Sequence, residues 1–289
     1  TNRTAGTWTL TATDITDGGK TPDTSSEFAV NPAPRTKLQV LMPGETAAPG
    51  TETGKTGTPD VQTAGVAYTV TVYSVDAYWN PTNYSYYVSL DTTDANDGLP
   101  SGDQYASGTW TFVITNKTAG TWTATATMRY NYLTAGTGTE YTVVAGPFEK
   151  LQLLVPGETA APGTATGKTG TPSAQTAGTE LTVTANAVDA YWNVVSSVMD
   201  AVGITSTDAN AVLPSNAALA AGTQTYPVTF KTAGTWTLTA MDASDGGKTL
   251  NTSPSITVGA GALAKLLMIL PGETWMPGTA TGKTGTPSV

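Results

Sequence analysis

The sequence predicts an all-β protein built from tandem sandwich domains, and three observations carry that prediction. The stretch KLQVLMPGETAAPGT from Lys37 returns from Lys150 as KLQLLVPGETAAPGT and from Lys265 as KLLMILPGETWMPGT, at spacings of 113 and 115 residues. A second motif keeps the same period: TAGTWTLTATD from Thr4, TAGTWTATATM from Thr118 and TAGTWTLTAMD from Thr232. Between the motifs, short alternating apolar and polar runs are punctuated by Gly, Pro, Asn and Asp, and no segment shows a helical period. A repeat this long is too long for a solenoid turn or propeller blade and suits a whole small domain.

The repeat sets the expected organisation. Residues 1–36 match the last part of a repeat, 37–147 form one complete repeat, 148–261 another, and 262–289 the first part of a further one. Neither partial repeat is expected to bury a core alone, because one strand pair is marginal in water.

The second complete repeat illustrates the elements. Leu151–Val155 is an apolar strand stopped by Pro156-Gly157, and a long loop rich in Gly, Pro and Thr follows. In the next strand, Leu181, Val183 and Ala185 alternate with Thr182, Thr184 and Asn186, so the first set points inward and the second outward. A turn, Val188-Asp-Ala-Tyr-Trp-Asn193, ends it. Strands are then expected near Ala201–Ser206, over Thr223–Phe230 with Tyr226, Val228 and Phe230 inward, over Trp236–Ala240, and over Ser255–Val258. About seven short strands per repeat is sandwich spacing.

The segments TVTANAVDAYWN from Thr182, STDAN from Ser206 and GTQTYPVTFKTAGTWTLTAMD from Gly222 resemble bacterial Ig-like repeats of the invasin and intimin type and of large extracellular adhesin-like proteins. The resemblance implies tandem Ig-like β-sandwich domains at a cell surface. Tyr191-Trp192-Asn193 departs from it, standing where such domains often carry Gly-Asn.

Composition narrows the function. A net charge of −9 argues against nucleic acid as the main partner. Histidine and cysteine are both absent, which removes disulfides, thiolate sites and histidine-ligated metals. Threonine is roughly a fifth of the chain and suits exposed strand faces. No apolar run is long enough to span a membrane. With no nucleophile elbow and carboxylates confined to turns and linkers, an enzyme is not expected. The loop GKTGTP is one residue short of a phosphate loop and leads into no helix, so nucleotide binding is rejected; a Pro-stiffened segment packed on its own or a neighbouring domain is expected instead.

Four site readings remain. The pole that faces the preceding repeat is expected to carry Asp189, Asn193, Asp242 and Asp245, either as ordinary turn residues or as oxygen ligands for calcium. The first complete repeat has Asp76 and Asn80, but Arg129 and Asn131 stand where the last hairpin would need acids. A tyrosine set, Tyr73, Tyr84, Tyr86, Tyr87, Tyr130 and Tyr132, has mostly smaller counterparts in the second repeat, with Asn186 opposite Tyr73. The core therefore does not need these rings, and they suit subunit contacts, glycan stacking or ordinary strand pairing. Leu266, Leu267, Met268, Ile269 and Leu270 form a strand with no domain of its own within the sequence, so they are expected to pair with an adjoining repeat or another copy. The head and tail would not complete one domain between them, since the middle strands are missing. Asn2, Asn83, Asn116 and Asn251 match the glycosylation pattern.

The function expected is a structural repeat protein of an extracellular filament, sheath or surface layer, assembled through contacts between Ig-like repeats. No cofactor is required, and calcium is the one cofactor the pattern admits. Partners are other copies of the chain, adjoining repeats of a longer chain, or glycans. Alternatives are the stalk of a cell-surface adhesin and a carbohydrate-binding module.

Overall fold

A computed structural model describes residues 1–16, 18–130, 132–244 and 246–288. The described residues form strands and turns with no helix. They divide into two compact units, one of residues 1–116 and 120–144, the other of 117–119 and 145–289.

In the first unit, Tyr68–Asp76 is the middle strand of a sheet, flanked antiparallel by Arg35–Leu41 and Thr109–Ile114. Opposite it lies a sheet ordered Gln104–Ser107, Ser85–Thr92, Ala124–Met128 and Gly136–Thr137. Alternation explains the core between them. Val70 and Val72, Val88 and Leu90, Trp110, Phe112 and Ile114, and Ala124, Ala126 and Met128 all face inward and are buried. Each large apolar side chain buried this way stabilises the fold by about 1.5–3 kcal/mol. A third set, Gly120–Trp122 with Tyr141–Val144 and, in parallel, Gln62–Thr63, closes the sandwich.

The second unit repeats the plan. Glu180–Val188 is central between Lys150–Leu154 and Thr223–Thr229. Thr223–Thr229 is an edge strand, which is why Pro227 is tolerated inside it. Ala217–Ala218, Ala201–Ser206, Leu238–Asp242 and Asn251–Thr252 form the facing sheet, around a core that includes Leu151, Val183, Ile204, Tyr226, Phe230 and Leu238. The strand expected over Trp236–Ala240 is in fact two: Gly234–Trp236 pairs with Ile256–Gly259, while Leu238–Asp242 pairs with Ala201–Ser206. The switch falls at Thr237, whose N–H donates to the Thr207 hydroxyl at 2.9 Å.

The long Gly- and Pro-rich loop is not irregular. Glu158–Ala160 and Lys168–Gly170 form a hairpin, clamped by Lys168 and Glu158 at 2.9 Å. Glu45–Ala47 and Lys55–Gly57 do the same in the first unit, and Glu273–Trp275 with Lys283–Gly285 near the C-terminus. The hairpin covers the outer face of its own sheet, with the Gln152 amide donating to the Gly167 carbonyl at 2.7 Å. Asn186 points to this outer face as expected but is buried there, and its amide donates to Gln152 Oε1 at 2.9 Å. Tyr73 occupies that position in the first unit and is half-buried.

The partial repeats are ordered locally. Gly6–Trp8 pairs with Phe28–Val30 and Thr11–Ala12 with Asp23–Thr24, while Ile15 is 94% exposed. Residues 265–270 adopt no strand, and Leu266 is 92% exposed, whereas the matching Leu38 and Leu151 are buried in paired strands.

Candidate functional site

The Asp-Ala-Tyr-Trp-Asn turn that ends each central strand builds a buried polar arrangement. Asp76 Oδ1 accepts from the Tyr78 and Asn80 amides at 2.8 and 2.9 Å, an Asx turn that closes the loop on itself. The closure puts Trp79 in a left-handed conformation, φ +68°. Its indole then lies against Gly54, where an added Cβ would come within 2.2 Å of the ring, and its Nε1 donates to the Glu52 carbonyl at 3.1 Å. The Lys37 ammonium sits 3.2 Å above the indole. Burial lowers the Lys37 pKa, partly offset by the charge of Asp76.

The other edge of the turn grips the backbone of residues 3–5. Asn80 Nδ2 donates to the Arg3 carbonyl at 2.8 Å and Asn80 Oδ1 accepts from the Ala5 amide at 2.7 Å. One amide side chain thus imitates a strand neighbour for two backbone groups. Asp76 Oδ2 orients that side chain, accepting from Asn80 Nδ2 at 2.9 Å, and also accepts from the Ala33 amide at 2.8 Å. Burial works to raise the Asp76 pKa. Hydrogen bonds from the Asn80 side chain and the Asn80, Ala33 and Tyr78 amides outweigh it and hold the carboxyl below its ordinary value. Opposite Asn80, the Thr4 hydroxyl donates to the Pro49 carbonyl at 3.3 Å, and Gly50 leaves no room for a Cβ beside it.

The second unit holds the same latch. Asp189 Oδ1 accepts from the Tyr191 and Asn193 amides at 2.8 and 2.9 Å, and Oδ2 from the Gly146 amide at 2.8 Å and Asn193 Nδ2 at 2.9 Å. Asn193 donates to the Lys117 carbonyl at 2.9 Å and accepts from the Ala119 amide at 2.8 Å, the tripeptide 117–119 belonging to this unit. Within the same unit, Gly278 approaches Thr232 and Asn210 as Gly50 approaches Thr4. Thr232 is held there by Asp208, which accepts from the Asn210, Lys231 and Thr232 amides and the Thr232 hydroxyl. Burial raises the Asp208 pKa, but those bonds win and keep it low.

The structure therefore brings Asp189 and Asn193 together through N–H donors. Two N–H donors meet each oxygen of the Asp189 carboxylate. Asp242 Oδ1 accepts from the Ser244 amide at 2.9 Å, and Asp245 lies outside the described residues. Among the described residues no three acidic side chains gather as a metal site.

The tyrosines of the first unit form a connected run. Tyr84 and Tyr86 stack at 4.7 Å, Tyr86 meets Tyr132 at 5.9 Å, and Tyr132 meets Tyr130 at 6.3 Å. Tyr86 is half-buried on the core; Tyr84, Tyr87, Tyr130 and Tyr132 are exposed. Tyr73 stands apart, with Thr69 and Thr71 beside the hairpin.

Of the glycosylation matches, Asn116 is excluded by its position: it is 1% exposed. Its Oδ1 accepts from the Tyr68 and Tyr141 hydroxyls at 2.5 and 3.1 Å, and its Nδ2 donates to Asp94 at 3.2 Å. Burial raises both tyrosine pKa values. Asn251 is half-buried, and its Oδ1 accepts from the Leu153 amide at 2.9 Å; Asn2 and Asn83 are exposed.

Sequence reasoning missed the grip of Asn80 and Asn193 on a distant TAG segment. The available signal was that each complete repeat carries one DAYWN turn and one TAGTW motif. It also missed Asn116 as a core residue and Arg35 as the cap of the tyrosine run, whose guanidinium lies 3.3 Å over Tyr84.

No protein-family model matches the chain, and no curated relative matches it significantly. Solved structures similar to it include the D00-D0 domain of intimin, at 14% identity and a TM-score of 0.36, over 77% of this chain and 99% of that one. Domains 5-6 of the S-layer protein SbsC align at 21% identity and a TM-score of 0.26, over 79% and 98%. A β-glycosidase from Bacteroides vulgatus aligns at 11% identity and a TM-score of 0.32, over 78% of this chain and 25% of that one. This chain thus spans about a quarter of the glycosidase.

Proposed function

We propose that the chain is a structural repeat array of an extracellular filament, sheath or surface layer, in which the same latched turn recurs from repeat to repeat. The single observation that carries the reading is the duplicated latch: Asp76 with Asn80, and Asp189 with Asn193, each holding the backbone of a TAG segment. Both latches are buried and made of charge-assisted and backbone-directed hydrogen bonds. The sequence resemblance to bacterial surface repeats supports the location.

Electron microscopy of the native particle tests this. A regular helical or lattice assembly, labelled on intact cells by antibody to the chain, is the expected result. Isolated flexible strings projecting from the cell would replace it with the adhesin-stalk reading, and absence of label would remove the extracellular location.

A further inference from the structure

We propose that the first unit carries a binding strip for an acidic polysaccharide. Its backbone is the tyrosine run, extended at both ends by arginine. Arg35 caps Tyr84 at 3.3 Å; at the other end Arg129 lies 5.7 Å from the Tyr130 centroid and 5.5 Å from that of Tyr87, which meets Tyr105 at 4.9 Å. Beside Arg35 opens a cavity of about 380 Å³ lined by Pro32, Pro34, Asn83 and Tyr84.

The second unit is an internal control. Tyr87 pairs with Tyr105 across the sheet, and the Arg129 amide donates to the Tyr87 carbonyl at 2.9 Å. In the second unit the same cross-strand pair is Ala201 with Ala218, and the Ala243 amide donates to the Ala201 carbonyl at 2.8 Å. Tyr130 and Tyr132 align with Ser244 and Gly246, and Arg35 with Phe148. The strand pairing is the same without the rings, so those of Tyr87, Tyr105, Tyr130 and Tyr132 are not needed for it, whereas Tyr86 also packs on the core. Tyr130 is also held at φ +71°, a conformation that bulky residues avoid.

The chemistry selects the ligand. The chain has three arginines against a net charge of −9, and two of the three lie on this strip. A guanidinium prefers a carboxylate, which it meets with two parallel hydrogen bonds. Arg129 has a carboxylate neighbour in Asp103 at 3.5 Å, a loose pair that an external carboxylate can displace. The rings offer apolar faces with hydroxyl edges, matching the apolar faces and hydroxyl edges of sugar rings. The neighbouring outward positions on the same sheet are Ser89, Asp91, Thr125 and Thr127, so the strip is bordered by small polar side chains that offer hydroxyl partners to a sugar. The strip is independent of the array reading, since it requires one unit only.

Titration calorimetry of the full chain with polygalacturonate, and with a neutral β-glucan of equal length, tests the proposal. Polygalacturonate is expected to bind at least tenfold more tightly than the glucan, and more weakly as salt rises. Arg129→Ala and the pair Tyr87→Ala with Tyr105→Ala copy the second unit, and each should weaken binding at least tenfold with unchanged thermal melting. The pair Tyr130→Ser with Tyr132→Gly gives an independent second variant with the same expectation. The proposal is overturned if neither polymer binds, if the glucan binds equally well, or if the folded variants bind like the parent. It is equally overturned if sedimentation shows the strip holding two copies of the chain together while neither polymer binds.

Discussion

Replacing Asn80 with alanine isolates the latch. The amide is buried and makes a pair of backbone hydrogen bonds, to the Arg3 carbonyl and from the Ala5 amide, besides its bonds to Asp76. Asp76 Oδ2 keeps the Ala33 amide, so the loss is the two backbone bonds and the bond to Oδ2, at about 1 kcal/mol each, a total of about 3 kcal/mol. For a domain of this size that is a fall in Tm of about 6–12 °C. Calorimetry measures the fall, and hydrogen exchange at the Ala5 amide reports whether the grip itself is lost. Asn80→Asp sharpens the test. It keeps the acceptor for Ala5 but sets a second carboxylate 2.9 Å from Asp76 Oδ2, where two like charges cannot both ionise. One of the two pKa values is then raised in the folded state. The stability linked to that group is present below about pH 4, the unfolded value, and is lost as pH rises through the raised value. The parent protein behaves oppositely, because its Asp76 pKa is lowered. A Tm drop under 2 °C for Asn80→Ala, or parallel pH slopes for Asn80→Asp and the parent, would refute the latch reasoning.

Three further predictions follow from the same structure. Gly54→Ala should lose about 2 kcal/mol or more, because its Cβ would meet the Trp79 ring at 2.2 Å on a backbone already at φ +76°; Gly54→Ala with Trp79→Ala should recover part of this in denaturant melts. Asn116→Phe alone should destabilise the first unit by about 2–4 kcal/mol, whereas adding Tyr68→Leu and Tyr141→Ile, the second unit's Leu181, Phe230 and Ile256, should restore most of the loss. The lowered pKa values of Asp76 and Asp208 mean that their stabilisation is complete above about pH 4 and disappears as pH falls through the folded values. A Tm that does not fall between about pH 4 and pH 2 would contradict that.

Much of the fold was legible because strand alternation and turn chemistry are written in neighbouring residues. Leu181, Val183 and Ala185 are buried as their period requires, and Ala201–Ser206 has the expected bounds. Trp236–Ala240 was misread as one strand because its inward side chains keep alternating while the backbone changes partners at Thr237. The candidate site was half legible. The Asp-x-x-x-Asn spacing announces an Asx turn, but a carboxylate in a turn can be read as a cap or as a cation ligand. Only the donors around it decide, and Ala33 and Gly146 lie 43 residues from Asp76 and Asp189.

The divide is clearest in the C-terminal segment. The hairpin Glu273–Trp275 with Lys283–Gly285 forms there as it does in the complete repeats, with Lys283 and Glu273 at 2.8 Å and Gly272 at φ +88°. Its determinants lie within some fifteen residues of one another, so the sequence alone determines it. The preceding residues, Leu266–Leu270, carry the same apolar pattern as Leu38–Met42 and Leu151–Val155, yet they form no strand. A strand needs a neighbour for its backbone, and in the complete repeats that neighbour is Tyr68–Asp76 or Glu180–Val188. Which asparagine grips a turn, which is buried and which stays exposed was decided the same way, by groups brought close only after the chain had folded.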